Sequence, residues 1–150
     1  MKNVIYIVLV CFTVSISGCK KKAIDPIAAL TKSELMAGKT ARIWQTSAIN
    51  VDGKDTYTSL GACYKDNQLV FKADGTFERN SGPTKCKASE PQIIDSGKWN
   101  LKSNDSELVM GTRTFQIMEL SANQFSIKVK TATDQVIIET FTAQTALATL

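Results

Sequence analysis

NQLVFKADGTFERN, residues 67–80, decides the fold. Leu69 and Phe71 stand at alternate positions, Asp74-Gly75 follows, and Phe77 resumes the apolar face beyond it. A period of two places Leu69, Phe71 and Phe77 on one side of a sheet. An Asp-Gly pair between two such runs signals a hairpin, because glycine accepts the positive φ that a tight reversal requires.

The same pattern extends outward in both directions. Upstream, ARIWQTSAIN (41–50) alternates and ends at Asp52-Gly53, and a further short strand is expected in DTYTSL (55–60). Downstream, SGKWNLK (96–102) sets Trp99 and Leu101 on one face, and residues 103–106 read as a turn. Asn104-Asp105-Ser106 fits a glycan acceptor pattern, but its composition is that of the turn itself. ELVMGTR (107–113) and TFQIMEL (114–120) follow, joined through Gly111, and residues 121–124 reverse the chain again. In FSIKVKT (125–131), Phe125, Ile127 and Val129 point inward and Ser126, Lys128 and Lys130 outward. VIIETFTA (136–143) closes the set, and QTALATL (144–150) reads as a loose tail or a short packing segment.

Strands joined by tight turns are antiparallel neighbours. A sheet of seven or eight such strands with one apolar face must close on itself or cover that face with a second sheet. Closure also removes exposed edges. The expected fold is therefore all-β, a small antiparallel up-and-down β-barrel over residues 31–150, with a sandwich as the second choice. One short helix should precede it. Thr31-Lys32-Ser33-Glu34 matches a capping box, Leu35 and Met36 give an apolar face, and Gly38 suits the stop. That helix would plug or cross one end of the barrel.

The amino end carries an address. Lys2 precedes the apolar run VIYIVLVCFTVSI (4–16) and the small residues Ser17 and Gly18, which is the pattern of a secretory signal. The run falls short of the roughly 20 apolar residues that span a bilayer. Ile16-Ser17-Gly18-Cys19 resembles the lipobox of bacterial lipoproteins. The resemblance implies cleavage of residues 1–18, a diacylglycerol thioether and an acylated amino group on Cys19, and a lipidated tether over 19–30. The lipid bilayer is then the first partner, reached through acylated Cys19. Multiple chains hold firmly, since each buried methylene contributes about 0.8 kcal/mol. Lysines 20–22 follow, and beyond Lys39 the two signs of charge nearly balance, so the positive excess lies in the tether. Each such lysine is worth about 1 kcal/mol near an anionic leaflet. By analogy with Gram-negative sorting, lysine rather than aspartate after Cys19 points to the outer membrane, facing the periplasm.

Composition narrows the function. The chain contains no histidine, so the usual general base of hydrolases and the commonest zinc ligand are missing. Its aspartates and glutamates form no motif that separates an acid from a base, and the near-neutral domain lacks the basic stripe of a nucleic-acid binder. The expectation is no enzyme, no catalytic residue, no metal, no cofactor and no nucleic acid. With Cys11 in the signal and Cys19 lipidated, Cys63 and Cys86 remain, and an even pair in an exported domain reads as a disulfide.

Several phrases in order carry a wider resemblance: SELMAGKTARIW (33–44), the pair Cys63 and Cys86, LVFKADGTF (69–77), GPTKC (82–86) and SGKWNL (96–101). Over roughly residues 32–143 the chain resembles the lipocalin-like domains of bacterial envelope lipoproteins. The resemblance implies a compact antiparallel barrel and a Cys63–Cys86 bridge tying a loop to a neighbouring strand, and it carries over no catalytic residue. Two functions fit. In one, Trp44, Phe71, Phe77, Trp99 and Phe125 line a barrel mouth that takes a small hydrophobic ligand or envelope component. In the other those aromatics are filled core, and the protein is an interaction or inhibitor module for an envelope protein. On the address, Cys19→Ala should abolish incorporation of radiolabelled fatty acid; unchanged labelling would contradict lipidation at this residue.

Overall fold

The computed structural model describes residues 29–144. The signal, Cys19, nearly all of the tether and residues 145–150 lie outside the described residues. Helix α1 (Lys32–Ala37) leads into β1 (Ala41–Val51), the two-residue β2 (Lys54–Asp55) and a second short helix, α2 (Ala62–Lys65). Then come β3 (Gln68–Lys72), β4 (Thr76–Asn80), β5 (Ile93–Lys102), β6 (Glu107–Met110), β7 (Arg113–Leu120), β8 (Gln124–Lys130) and β9 (Val136–Ala143). All pairings are antiparallel between sequence neighbours except β1 with β3 and β1 with β9, and the latter closes the sheet. β2 pairs only with the last two residues of β1, so eight strands form the wall of a closed barrel.

The hairpin at 67–80 forms as its sequence dictates. Phe71 lies opposite Phe77, and Gly75 takes φ +81° in the turn. The Asp74 carboxylate accepts from the Thr76 hydroxyl at 2.6 Å and the Thr76 amide at 2.9 Å, and these bonds hold its pKa below the ordinary value.

Closure rests on β1. Its first half pairs with β3 through residues 41–45 and its second half with β9 through residues 44–51, and the register shifts between Thr46 and Ala48. A bulge adds local twist, which lets one long strand turn from one neighbour to another.

Helix α1 seals one end. Its capping box is complete: the Glu34 amide donates to the Thr31 hydroxyl at 3.2 Å, and the Thr31 amide donates to the Glu34 carboxylate at 2.7 Å. The Thr31 amide, and secondarily its hydroxyl, keep the Glu34 pKa below the usual carboxylate value. A depressed folded pKa means that the stability contributed is present above the unfolded value and is lost as pH falls through the folded one. Met36 and Ala37 are buried, and the buried Trp44 indole donates to the Met36 carbonyl at 2.8 Å. Arg42 donates to the Leu35 carbonyl at 2.8 Å and to that of Ala122 at 3.0 Å, with its guanidinium over the Trp44 ring. Carbonyls that a helix terminus leaves without partners are thereby satisfied from the barrel wall.

The other end is stapled rather than plugged. A disulfide joins Cys63 in α2 to Cys86 in the 81–92 loop, with Cα atoms 5.1 Å apart. The Thr84 amide donates to the Asp66 carboxylate at 2.9 Å. Gly82 sits at φ +65°, and a Cβ there would fall 2.0 Å from the Asp66 carbonyl oxygen.

The structure departs from expectation in four places. Residues 56–60 form turns rather than a strand, because the Asp55 carboxylate accepts from the Tyr57 amide at 2.8 Å and folds the backbone locally. β4 and β5 are joined by the 81–92 loop instead of a tight turn, and β5 begins at Ile93. Arg113 opens β7 rather than ending β6, since the reversal falls at Gly111, φ +58°. Ser126, expected on the outside, is buried.

Serine at both Cys63 and Cys86 should lower unfolding free energy by about 3.4 kcal/mol in the chain-entropy account. Denaturant melts with and without reductant check this, and coincident curves would refute it. Gly82→Ala should destabilise the protein with the bridge intact, as it combines a backbone clash with a left-handed φ.

Candidate functional site

The five aromatics expected to line a ligand site come from β1, β3, β4, β5 and β8 and converge in the barrel. They pack on one another. Trp44 meets Phe125 edge-on at 5.0 Å between ring centroids, Phe71 meets Trp99 at 5.3 Å and Phe125 at 6.0 Å, and Phe125 stacks on Phe141 at 4.6 Å. Trp44, Phe71 and Phe125 have 0 % of their surface exposed, and Phe77 and Trp99 are buried too. A side chain with no area open to a water-sized sphere borders no void that could hold a ligand. The structure thus gathers these residues into one packed core through their mutual contacts. Trp99 borders a surface hollow beside α1, and its indole donates to the Lys72 carbonyl at 3.0 Å.

The inward face changes character towards the stapled end. Leu69 lies opposite Arg79, so the position after Phe77 on that face carries a guanidinium. Glu139 lies opposite Ile49 and Ile127, on the same face as Phe141. These strands therefore bring Thr46, Arg79 and Glu139 to the barrel mouth above the aromatic core. The Thr46 hydroxyl donates to Glu139 Oε1 at 3.2 Å, and Arg79 Nη2 stands 3.9 Å from Glu139 Oε2. Both charged side chains are partly exposed. They border a hollow of about 170 Å³ whose remaining wall includes Leu60, Tyr64 and Phe141. A second pair, Arg113 and Asp95 at 3.9 Å, stands more exposed on β7 and β5.

Sequence reasoning missed this site, although its signal was present. Counting by two from Phe77 reaches Arg79, and from Phe141 back reaches Glu139. Opposite charges at inward positions of separate strands mark a place where the interior stops being oil. Chemically the site offers a guanidinium, a carboxylate, a hydroxyl and apolar wall. Among the described residues no cluster of three or more Cys, Asp or Glu side chains could hold a metal ion.

The model of the lipocalin-like domain family matches residues 41–127, from the start of β1 into β8. The chain belongs to that family. No curated protein matches it in sequence. A lipocalin-like barrel is a ligand-binding type of fold, and the family's members are generally binding proteins rather than enzymes. In this lipocalin-like domain the matched span holds Arg79 but not Glu139, which belongs to the closing strand β9.

A filled core has a measurable consequence. Phe125→Ala and Trp99→Ala should each lower stability by about 3–5 kcal/mol, read from urea unfolding. A shift under 1 kcal/mol would mean that these rings face a cavity instead.

Proposed function

We propose that this lipocalin-like domain is a non-catalytic recognition module, held at the membrane of the bacterial envelope by acyl chains on Cys19, that engages a small molecule at the barrel mouth rather than inside the barrel. The observation that carries the reading is the contrast along the barrel axis. The interior holds interlocked aromatics, of which Trp44, Phe71 and Phe125 have no exposed surface, whereas the mouth presents a hollow with charged and apolar walls. Support for the anchor comes from the signal-like amino end, Cys19 after Ile16-Ser17-Gly18, and the lysines behind it. The sorting analogy favours the outer membrane and its periplasmic face.

A second reading, an interaction or inhibitor module for an envelope protein, is favoured by one observation. Tyr64, Ile93 and Ile94 are exposed at the stapled end and offer large apolar side chains to a protein contact.

Native mass spectrometry of the full chain extracted in detergent from its own envelope separates the readings. The expected result is a lipidated mature chain beginning at Cys19 and carrying a bound small molecule. A stoichiometric protein partner with no small molecule would favour the interaction module. A soluble chain that keeps residues 1–18 would overturn the anchor.

A further inference from the structure

Resting on the mouth-recognition reading, the geometry points to a ligand class: we propose that Arg79 and Glu139 together bind a small zwitterion with an apolar side group, chemically an α-amino acid such as leucine. Four observations carry this.

The first is size. About 170 Å³ is several times the ~30 Å³ share of a water molecule and well below the ~300–1,000 Å³ of pockets for drug-sized ligands.

The second is unused hydrogen-bonding capacity. At 3.9 Å the Arg79–Glu139 contact is longer than the ~2.7–2.9 Å of a charge-assisted hydrogen bond. Among the described residues Arg79 makes no hydrogen bond through its guanidinium, and Glu139 accepts only from Thr46, through Oε1. A guanidinium fork and a carboxylate oxygen both remain available beside the same hollow.

Charge balance is the third. An anion placed against Arg79 would also face Glu139, and a cation against Glu139 would face Arg79. Only a ligand with both signs turns one long internal pair into two short ones without leaving a like-charge contact. The fourth is the wall: Leu60 and Tyr64 give an apolar side group a surface to bury against.

The test is calorimetric titration of the full lipidated chain in detergent with three probes: leucine, leucinamide, which lacks the carboxylate, and 4-methylpentanoate, which lacks the amine. Leucine should bind at least about tenfold more tightly than either single-charge probe, the scale of one lost hydrogen bond to a charged group. Arg79→Gln should weaken leucine while tightening leucinamide, whose ammonium at Glu139 then no longer faces a like charge. Glu139→Gln should do the converse with 4-methylpentanoate. Arg79→Lys keeps the charge without the fork and guards against loss of folding, which thermal melting of each variant monitors; it should bind leucine more tightly than Arg79→Gln does. Equal affinity for all three probes, or no binding of leucine, would overturn the proposal. A co-purified molecule carrying a single charge or none would also overturn it while leaving recognition at the mouth intact, whereas a protein partner with no small molecule would remove recognition at the mouth as well.

Discussion

The whole architecture depends on β1 having two partners at once. Trp44 lies opposite both Leu69 of β3 and Ala143 of β9, at the level where the two pairings overlap. Without that overlap the eight strands would form an open sheet, with one apolar face uncovered and two unpaired edges. The bulge beyond Thr46 lets the strand lean from one neighbour to the other. Trp44 also fixes the floor, because its indole nitrogen holds α1 through Met36 while Arg42 covers its ring. Closure of the wall and closure of one end are thus set within a few residues of the same strand.

How much of this was legible follows from which forces act locally. The hairpin around Asp74-Gly75, the capping box at Thr31 and the strands ending at Lys130 and Ala143 are written in period-two patterning and turn chemistry, which neighbouring residues determine. The 81–92 loop and α2 were not legible as structure, because distant contacts shape them: the bridge from Cys63 to Cys86, the Thr84–Asp66 bond and the approach of Gly82 to the Asp66 backbone. Ser126 illustrates the limit of alternation. Its position on β8 is outward, yet it is buried, for a strand pattern gives the direction of a side chain and not what covers it. The disulfide was legible from cysteine arithmetic alone. The mouth is marked in the sequence only by charged residues at inward positions, Arg79 and Glu139, beside aromatic neighbours that carry the stronger pattern.

The core and the mouth impose different demands on the same strands. A barrel of about eight strands has an interior that side chains can just fill, or that admits one small ligand. Here Trp44, Phe71, Phe125 and Phe141 fill it. Above them Arg79 and Glu139 could not be sunk further without a heavy desolvation penalty. They stand where the wall opens, partly solvated, with Thr46 fixing one carboxylate oxygen. The transition from aromatic to ionic occurs over a single inward step on β4, from Phe77 to Arg79, and on β9, from Phe141 to Glu139. The residues at the mouth can therefore change without disturbing the packing that supplies most of the stability.

The two ends also differ in how they meet the rest of the chain. The described residues begin just before α1, at the sealed end, whereas α2 and the bridged loop stand at the mouth. If acyl chains on Cys19 anchor the protein, as proposed, the membrane connection enters at the floor, and a chain segment reaches at most about 3.6 Å per residue. Over the roughly 12 residues of that tether this comes to about 43 Å, which leaves the domain free to turn its mouth towards solutes of the aqueous compartment. An ionic pair in a small hollow suits that orientation, since a mouth facing the membrane would gain from a broad apolar rim instead. The packed barrel, the sealed floor and the charged mouth are the arrangement that the proposed recognition of a small polar solute requires, with the interior holding the rim in shape.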